Sequence, residues 1–353
     1  MQTATIGNAV GFCVAFVGNT GVIGNPMGRV SQSSQVRVIN IAKSLEKEYG
    51  IDTKIVFPLR DSGEKMVRTI AQCDVAIFHR IQGSRHTWID SGYFETFVAA
   101  KRLGKKVIFD VDDAIYLNFP LITPLVAMTS STVFAGSHAL LERYRHFSRS
   151  VTLVPSAVDT ELISPVPQSG NGPIVLGWHG SARVHLDNLL SLSNVLLELD
   201  RKYNIIFKIL GTVGDTRLQQ ELQNRFGSVK LEFGPPRWFP YCELPHHMSD
   251  VNIGLYPLFD NEWNRAKCSM KLLEYMAMEF PTCSSRVGEN NHIIKDGRNG
   301  FLASSDSEWI AKIGKLIDDA SLRKEMGVRA RASVLESYSL RAVTQSIEHT
   351  IRS

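Results

Sequence analysis

Short apolar runs alternate with longer segments of helical period along most of the chain. Val10 to Val17 (VGFCVAFV) is continuously apolar, the pattern of a strand buried on both faces in a parallel sheet. It runs into Gly18-Asn19-Thr20-Gly21, and glycine recurs at Gly24 and Gly28. Ser33 to Tyr49 carries a helical pattern through Val36, Ile39, Ile41 and Leu45, with Arg37 near its start. Ile51 to Pro58 and Asp74 to His79 read as strands, the second ending in His79 and Arg80. A helix over Tyr93 to Arg102 stops at Gly104, and the strand Lys106 to Asp110 runs into Val111-Asp112-Asp113. Val133 to Ala135 and Thr152 to Val154 read as the last strands of this half.

Ser164 to Pro173 is rich in proline and glycine and has no hydrophobic period, so it reads as a linker. The alternation then restarts. Ile174 to Trp178 is a strand ending in His179-Gly180-Ser181-Ala182-Arg183, and a helix is expected over Leu189 to Leu199. Ile205 to Leu210, Val229 to Phe233 and Val251 to Tyr256 follow as strands. Helices around Ser307 to Asp318 and Ser321 to Glu336, and a last one to about Ile351, close the chain. Such alternation predicts an α/β protein of two doubly wound, Rossmann-like halves, residues 1–165 and 174–339, with a cleft between them. In such sheets ligands bind beyond the carboxyl ends of the strands. The glycine loop, His79-Arg80 and the Asp110-Asp112-Asp113 group all fall there.

The segment Trp263 to Phe301 holds the most chemistry. At 100° per residue Lys267, Lys271 and Glu274 fall within roughly 60° of one another, opposite Leu272, Leu273, Met276, Ala277 and Phe280. Thr282 to Ser285 reads as a short buried strand, and Val287-Gly288 leads into another helical segment. A lysine in the first turn of a helix suits phosphate, because free N–H groups and the positive dipole end face the anion. A carboxylate one turn on can take ribose hydroxyls. The same spacing is equally that of a solvated i, i+4 charge pair.

Composition narrows the classes. Of 353 residues, 44% are hydrophobic and 21% charged, which is globular material long enough for two domains. The net charge of +4 is too mild for a nucleic-acid binder. The five cysteines form no CxxC pair and read as reduced thiols of a cytoplasmic protein. No apolar run reaches the length of a membrane span, and the N-terminus lacks a signal-peptide pattern. Arg143, Arg145 and Arg149 ride with Leu140, Leu141, Tyr144 and Phe147. Such a basic amphipathic stretch either lies on an anionic membrane surface, giving peripheral contact with its inner face, or is an ordinary solvated helix face. The aspartate group lacks a histidine or further carboxylate to complete a metal site, so no metal and no cofactor are expected.

Taken in order, LGWHGSARVHLDNL, DVNIGLYPL, the W-x-x-x-K-C-x-x-K-L-L-E-Y-M-A run, RVGENNHIIKDGRNGFL and LRKEMGVRARASVLESYSL resemble the retaining nucleotide-sugar glycosyltransferases of family 4. FDVDDAIY and VPSAVDTELISP in the first half are similar as well. The resemblance implies a GT-B fold whose last helix, 340–353, returns to the first domain; Val343, Ile347 and Ile351 give it an apolar stripe that needs a partner. It also implies transfer from a nucleotide-diphosphate sugar to a saccharide or lipid-linked acceptor, in polysaccharide, lipopolysaccharide or glycoconjugate synthesis. Glu274 then corresponds to the second acid of a Glu-x7-Glu motif that holds the donor ribose. Lys271, Lys267 and the loop Gly180, Ser181, Arg183 correspond to diphosphate-binding elements, with Gly288 beside the donor. The loop at Gly28 and Arg29 and the residues around His79 and Asp112 would face the acceptor and the transferred sugar. Arg183, Lys271, Asp112 and His79 are the expected catalytic set.

The pattern is broken in three places. Position 266, where the first acid belongs, is Ala266, with Glu262 or Lys267 as substitutes. The glycine that normally ends the helix is Glu279, and Asp112-Asp113 stands where a catalytic histidine is often found. Without a metal, fixed cations would have to meet the departing diphosphate. Two other classes share these features: a nucleotide-sugar epimerase of the same fold, which needs no acceptor, and a non-catalytic sugar-binding protein. A new glycoside as product distinguishes a transferase from both.

Overall fold

The structure, a computed structural model, describes residues 12–18, 31–58, 60–81, 91–166 and 172–353. They fall into two compact units. The first takes in the described parts of Met1–Gly136, Leu140–Pro155 and Val343–Ser353; the second comprises Ser137–Ala139 and Ser156–Ala342. The residue preference changes at 155/156, upstream of the proline- and glycine-rich linker, because Val158 and Ile163 bury into the second unit's core.

Each unit is built on a parallel six-stranded sheet. The first has β1 (Cys13–Val17), β2 (Asp52–Val56), β3 (Val75–His79), β4 (Lys106–Val111), β5 (Thr132–Ala135) and β6 (Val151–Leu153), in the order β2-β1-β3-β4-β5-β6. The second has β7 (Ile174–His179), β8 (Ile205–Leu210), β9 (Lys230–Phe233), β10 (Ile253–Tyr256), β11 (Thr282–Ser285) and β12 (Phe301–Ala303), in the order β12-β11-β10-β7-β8-β9. The continuous apolar runs become these strands because helices cover both faces of a parallel sheet. Every residue of β1, β3 and β5 is buried, as the runs required.

The first unit's helices are α1 (Gln32–Ser34), α2 (Ile41–Tyr49), α3 (Gly63–Ala71), α4 (Ser91–Arg102), α5 (Ile122–Thr129) and α6 (His138–Arg145). Between α1 and α2 a π-helical stretch, Gln35–Asn40, replaces the plain helix expected over Ser33 to Tyr49. Such a widened turn re-aims the side chains it carries, here Arg37 among them, and is frequent at functional sites. The second unit adds α7 (Leu186–Leu190), α8 (Ser193–Asp200), α9 (Thr216–Phe226), α10 (Leu244–His247), α11 (Glu262–Arg265), α12 (Met270–Ala277), α13 (Asn290–Ile293), α14 (Asp306–Asp318) and α15 (Ala320–Ser337). The single helix expected over Leu189 to Leu199 is split into α7 and α8. In α16 (Leu340–Arg352), Val343, Ile347 and Ile351 are buried, and Lys106 Nζ of β4 donates to the Thr350 carbonyl at 2.7 Å.

Helices α3, α5 and α9 and strand β12 lie where no element was expected. For α9 the signal was present: Leu218, Leu222 and Phe226 repeat every four residues, between an Asp215 cap and Gly227. The basic amphipathic stretch is helical over its first part. It forms α6, whose Leu140, Leu141 and Tyr144 are buried in the core, with Tyr144 edge-on to Phe109 at 5.9 Å. Among the described residues, no helix is long and apolar enough to cross a bilayer.

Candidate functional site

Strand β7 lies at the middle of the second sheet and ends in buried His179, whose backbone N–H donates to the Tyr275 hydroxyl at 3.0 Å. The next residue, Gly180, has φ +134°. At the end of the neighbouring strand, Gly211 has φ +112°, and a Cβ on it would collide with the Gly180 carbonyl. Both positions therefore need glycine, for their backbone angles and for close approach alike.

Helix α12 brings its first turn to this loop. Ser269, preceding it, adopts φ +53°, and its hydroxyl donates to Asn290 Oδ1 at 2.7 Å, which joins the helix start to the segment after Gly288. Lys271 extends from the first turn across Gly180. Its Nζ donates to His185 Nε2 at 3.4 Å and lies 5.7 Å from the Trp178 ring centroid. An ammonium has no acceptor, so the facing His185 nitrogen carries no proton. Burial first, and then the charges of Lys271 and Lys267, push the His185 imidazole down to about 2. A cation, a neutral imidazole and a helix start thus meet beside one glycine loop, an arrangement suited to an anion.

The helical stripe expected from the sequence is corrected. Lys267 precedes α12 and sits over Trp263 at 5.7 Å, so it shares no helix face with Lys271. Glu274 is fully buried on the core side, with Oε2 2.9 Å from His179 Nε2. The Tyr241 hydroxyl is pushed well up, by burial first and then by the Glu274 charge beside it. The segment Trp263 to Phe301 therefore supplies one lysine to the loop and one carboxylate to the interior.

The remaining sequence-singled residues go to several places. Ser181 accepts the His185 backbone N–H at 3.1 Å, keeping the Gly180 loop compact. Arg183 is exposed and pairs with Asp215, the cap of α9, whose carboxyl is held below its ordinary range by that hydrogen bond. Gly288 has φ +52°, and a Cβ there would lie 2.5 Å from the Arg265 carbonyl. Ala266, at the place of the missing acid, is buried, and its carbonyl accepts from Ser137 Oγ at 2.8 Å. Gly28 and Arg29 lie outside the described residues.

The first unit gathers a separate set of charges. His79 is fully buried, with Nδ1 2.8 Å from Asp110 Oδ2 and Nε2 2.8 Å from Ser33 Oγ. Ser33 also donates to Asp112. Arg37 grips Asp110 through Nε and Nη2 and gives Nη1 to the Val154 carbonyl at 3.0 Å. Arg80, at φ +58°, pairs with both Asp112 and Asp113. Burial works to raise the carboxyls of Asp110 and Asp112, but Arg37 and His79 at the first and Arg80 at the second outweigh it and hold both low. The aspartate group thus spends its charge on arginines and a histidine.

One cluster escaped sequence reading. His138, Glu289 and His292 place ligand-type atoms within 4.8 Å of one another. The Glu289-x-x-His292 spacing was a legible hint; the third member lies 151 residues away.

Residues 173–319 match the family described as "Glycosyl transferases group 1". This stretch of the chain is a glycosyltransferase group 1 domain. It holds the Gly180 loop, α12 and the Glu289 turn. No curated protein sequence matches the chain. Among solved structures it is similar to HepE of Anabaena in complex with UDP and glucose (14% identity, 97% of this chain and 99% of that one, TM-score 0.69). It is also similar to sucrose-phosphate synthase of Thermosynechococcus elongatus (13%, 97% and 98%, TM-score 0.68). A third likeness is the lipopolysaccharide outer core galactosyltransferase WaaB (16%, 97% and 99%, TM-score 0.65). The architecture of two parallel six-stranded sheets with flanking helices is that of these GT-B proteins.

Proposed function

We propose that this glycosyltransferase moves a sugar from a nucleotide-diphosphate donor to a saccharide or lipid-linked acceptor, with retention at the anomeric carbon and without a divalent metal in the reacting step. Lys271 lying across Gly180 at the start of α12 carries the reading. The complexes of HepE with UDP and glucose and with UDP-glucose support a nucleotide-diphosphate donor. As the bond from sugar C1 to the diphosphate oxygen breaks, its electron pair goes to the diphosphate. Lys271 and the first-turn N–H groups stabilise that charge as it grows, the role a metal fills elsewhere. The acceptor oxygen bonds to C1 on the face the diphosphate leaves, and the acceptor proton goes to a departing phosphate oxygen.

Incubation with nucleotide sugars and oligosaccharide or lipid-linked acceptors, followed by NMR of the product, tests this. An α-glycoside from an α-donor, formed at full rate in excess EDTA, is the expected result. An inverted product or a strict need for magnesium or manganese overturns the reading.

A further inference from the structure

Glu289 is buried, yet its carboxylate is turned toward two imidazoles. Its Oε2 accepts the His138 backbone N–H at 2.8 Å, and its Oε1 lies 3.0 Å from His138 Nδ1. Glu289 has helical backbone angles and accepts the His292 N–H at 3.0 Å, so Glu289 and His292 stand three residues apart on one face of a single turn. The His138 and His292 rings stack at 3.7 Å with 11° between their planes. All three residues belong to the second unit. None of them is used by the diphosphate-handling loop.

We propose that His138, Glu289 and His292 bind one divalent transition-metal ion, taking Zn²⁺ and excluding Mg²⁺. Two imidazoles and one carboxylate form a three-ligand set with a fourth position for water, and nitrogen ligands favour Zn²⁺ over the oxygen-seeking ions. The ligand atoms follow from the hydrogen bonds present. The His138 backbone N–H keeps Glu289 Oε2, leaving Oε1 for the metal. His138 offers Nδ1 as a ligand with its ring proton on Nε2. The stacked rings cannot both point at one ion, so His292 tilts; it is exposed, and only the stacking contact is given up. The ion ties residue 138 to the turn at 289–292, and sugar transfer does not run through it.

Titration of tag-free protein with ZnCl₂ and with MgCl₂ by calorimetry tests this, in a Cys242→Ser background that removes the exposed thiol. One Zn²⁺ per chain and no Mg²⁺ signal are expected, with Kd raised at least tenfold in His292→Ala. That variant alters an exposed side chain and keeps the fold, which circular dichroism checks. Absence of Zn²⁺ binding, or binding undiminished in His292→Ala, overturns the proposal. Either result leaves the transfer reading intact, since that reading is decided by product and EDTA assays.

Discussion

The side chain of Lys271 occupies the space a side chain on Gly180 would need: a Cβ there would meet Lys271 Cε and lie 3.0 Å from Nζ. The glycine thus decides where the ammonium sits. Lys271→Ala is expected to lower kcat about 10²-fold or more, as loss of one preorganised donor does. Gly180→Ala should produce a similar loss by displacing the ammonium, and the double variant should be little worse than either, because both remove one interaction. Gly180→Ala should also lower the Tm, since alanine is strained at φ +134°. Steady-state kinetics of the three variants check the coupling; full additivity would separate the two residues.

Glu274→Ala is expected to destabilise the second unit by about 1–3 kcal/mol, because it leaves His179 and Tyr241 facing a buried gap. Glu274→Gln, which keeps the shape and a hydrogen-bonding oxygen, should cost less. Denaturant midpoints distinguish this from a pure binding role, in which stability would not move.

His185 sets a pH dependence. Its folded-state value of about 2 lies below that of an unfolded imidazole, so on acidification the unfolded chain takes the proton first. The stability is whole above roughly pH 6.5 and falls below it, by at most about 1.4 kcal/mol per pH unit from this group. His185→Gln should flatten that part of the profile between pH 6.5 and 5. Urea unfolding at both values, with the variant beside the parent, reads the difference in slope.

Helix α12 ends at a left-handed residue that is not glycine: Glu279 has φ +62°. Glu279→Gly should raise the Tm slightly, since relief of about 1–2 kcal/mol of backbone strain exceeds the entropy cost of a new glycine. Gly327 packs against the same turn, and a Cβ there would collide with the Glu279 carbonyl. Gly327→Ala should therefore cost about 1–3 kcal/mol as overpacking against backbone. Differential scanning calorimetry of both variants checks the opposite signs.

Most strands of the two sheets were legible in the residues themselves; β12, only three residues long, was not. Buried parallel strands are predominantly apolar, so β1, β3, β7, β8 and β10 stand out locally, and Ile205–Leu210 was legible to the residue, as was Thr282–Ser285 despite its hydroxyl side chains. The sequence also marked Gly180 and Lys271, since strand-end glycines and first-turn lysines are local signals. Which partner each charge met was set by the packing of distant elements. Helical projection put Glu274 on a polar stripe, but burial depends on what packs against the helix, and β7 supplies His179 there. Arg37 reaches Asp110 across 73 residues, and His138 reaches Glu289 across 151, pairings fixed by strand order and loop course. Periodicity reports which side of an element is apolar. It carries no information on how distant polar groups are brought face to face, and that juxtaposition is where the chemistry lies.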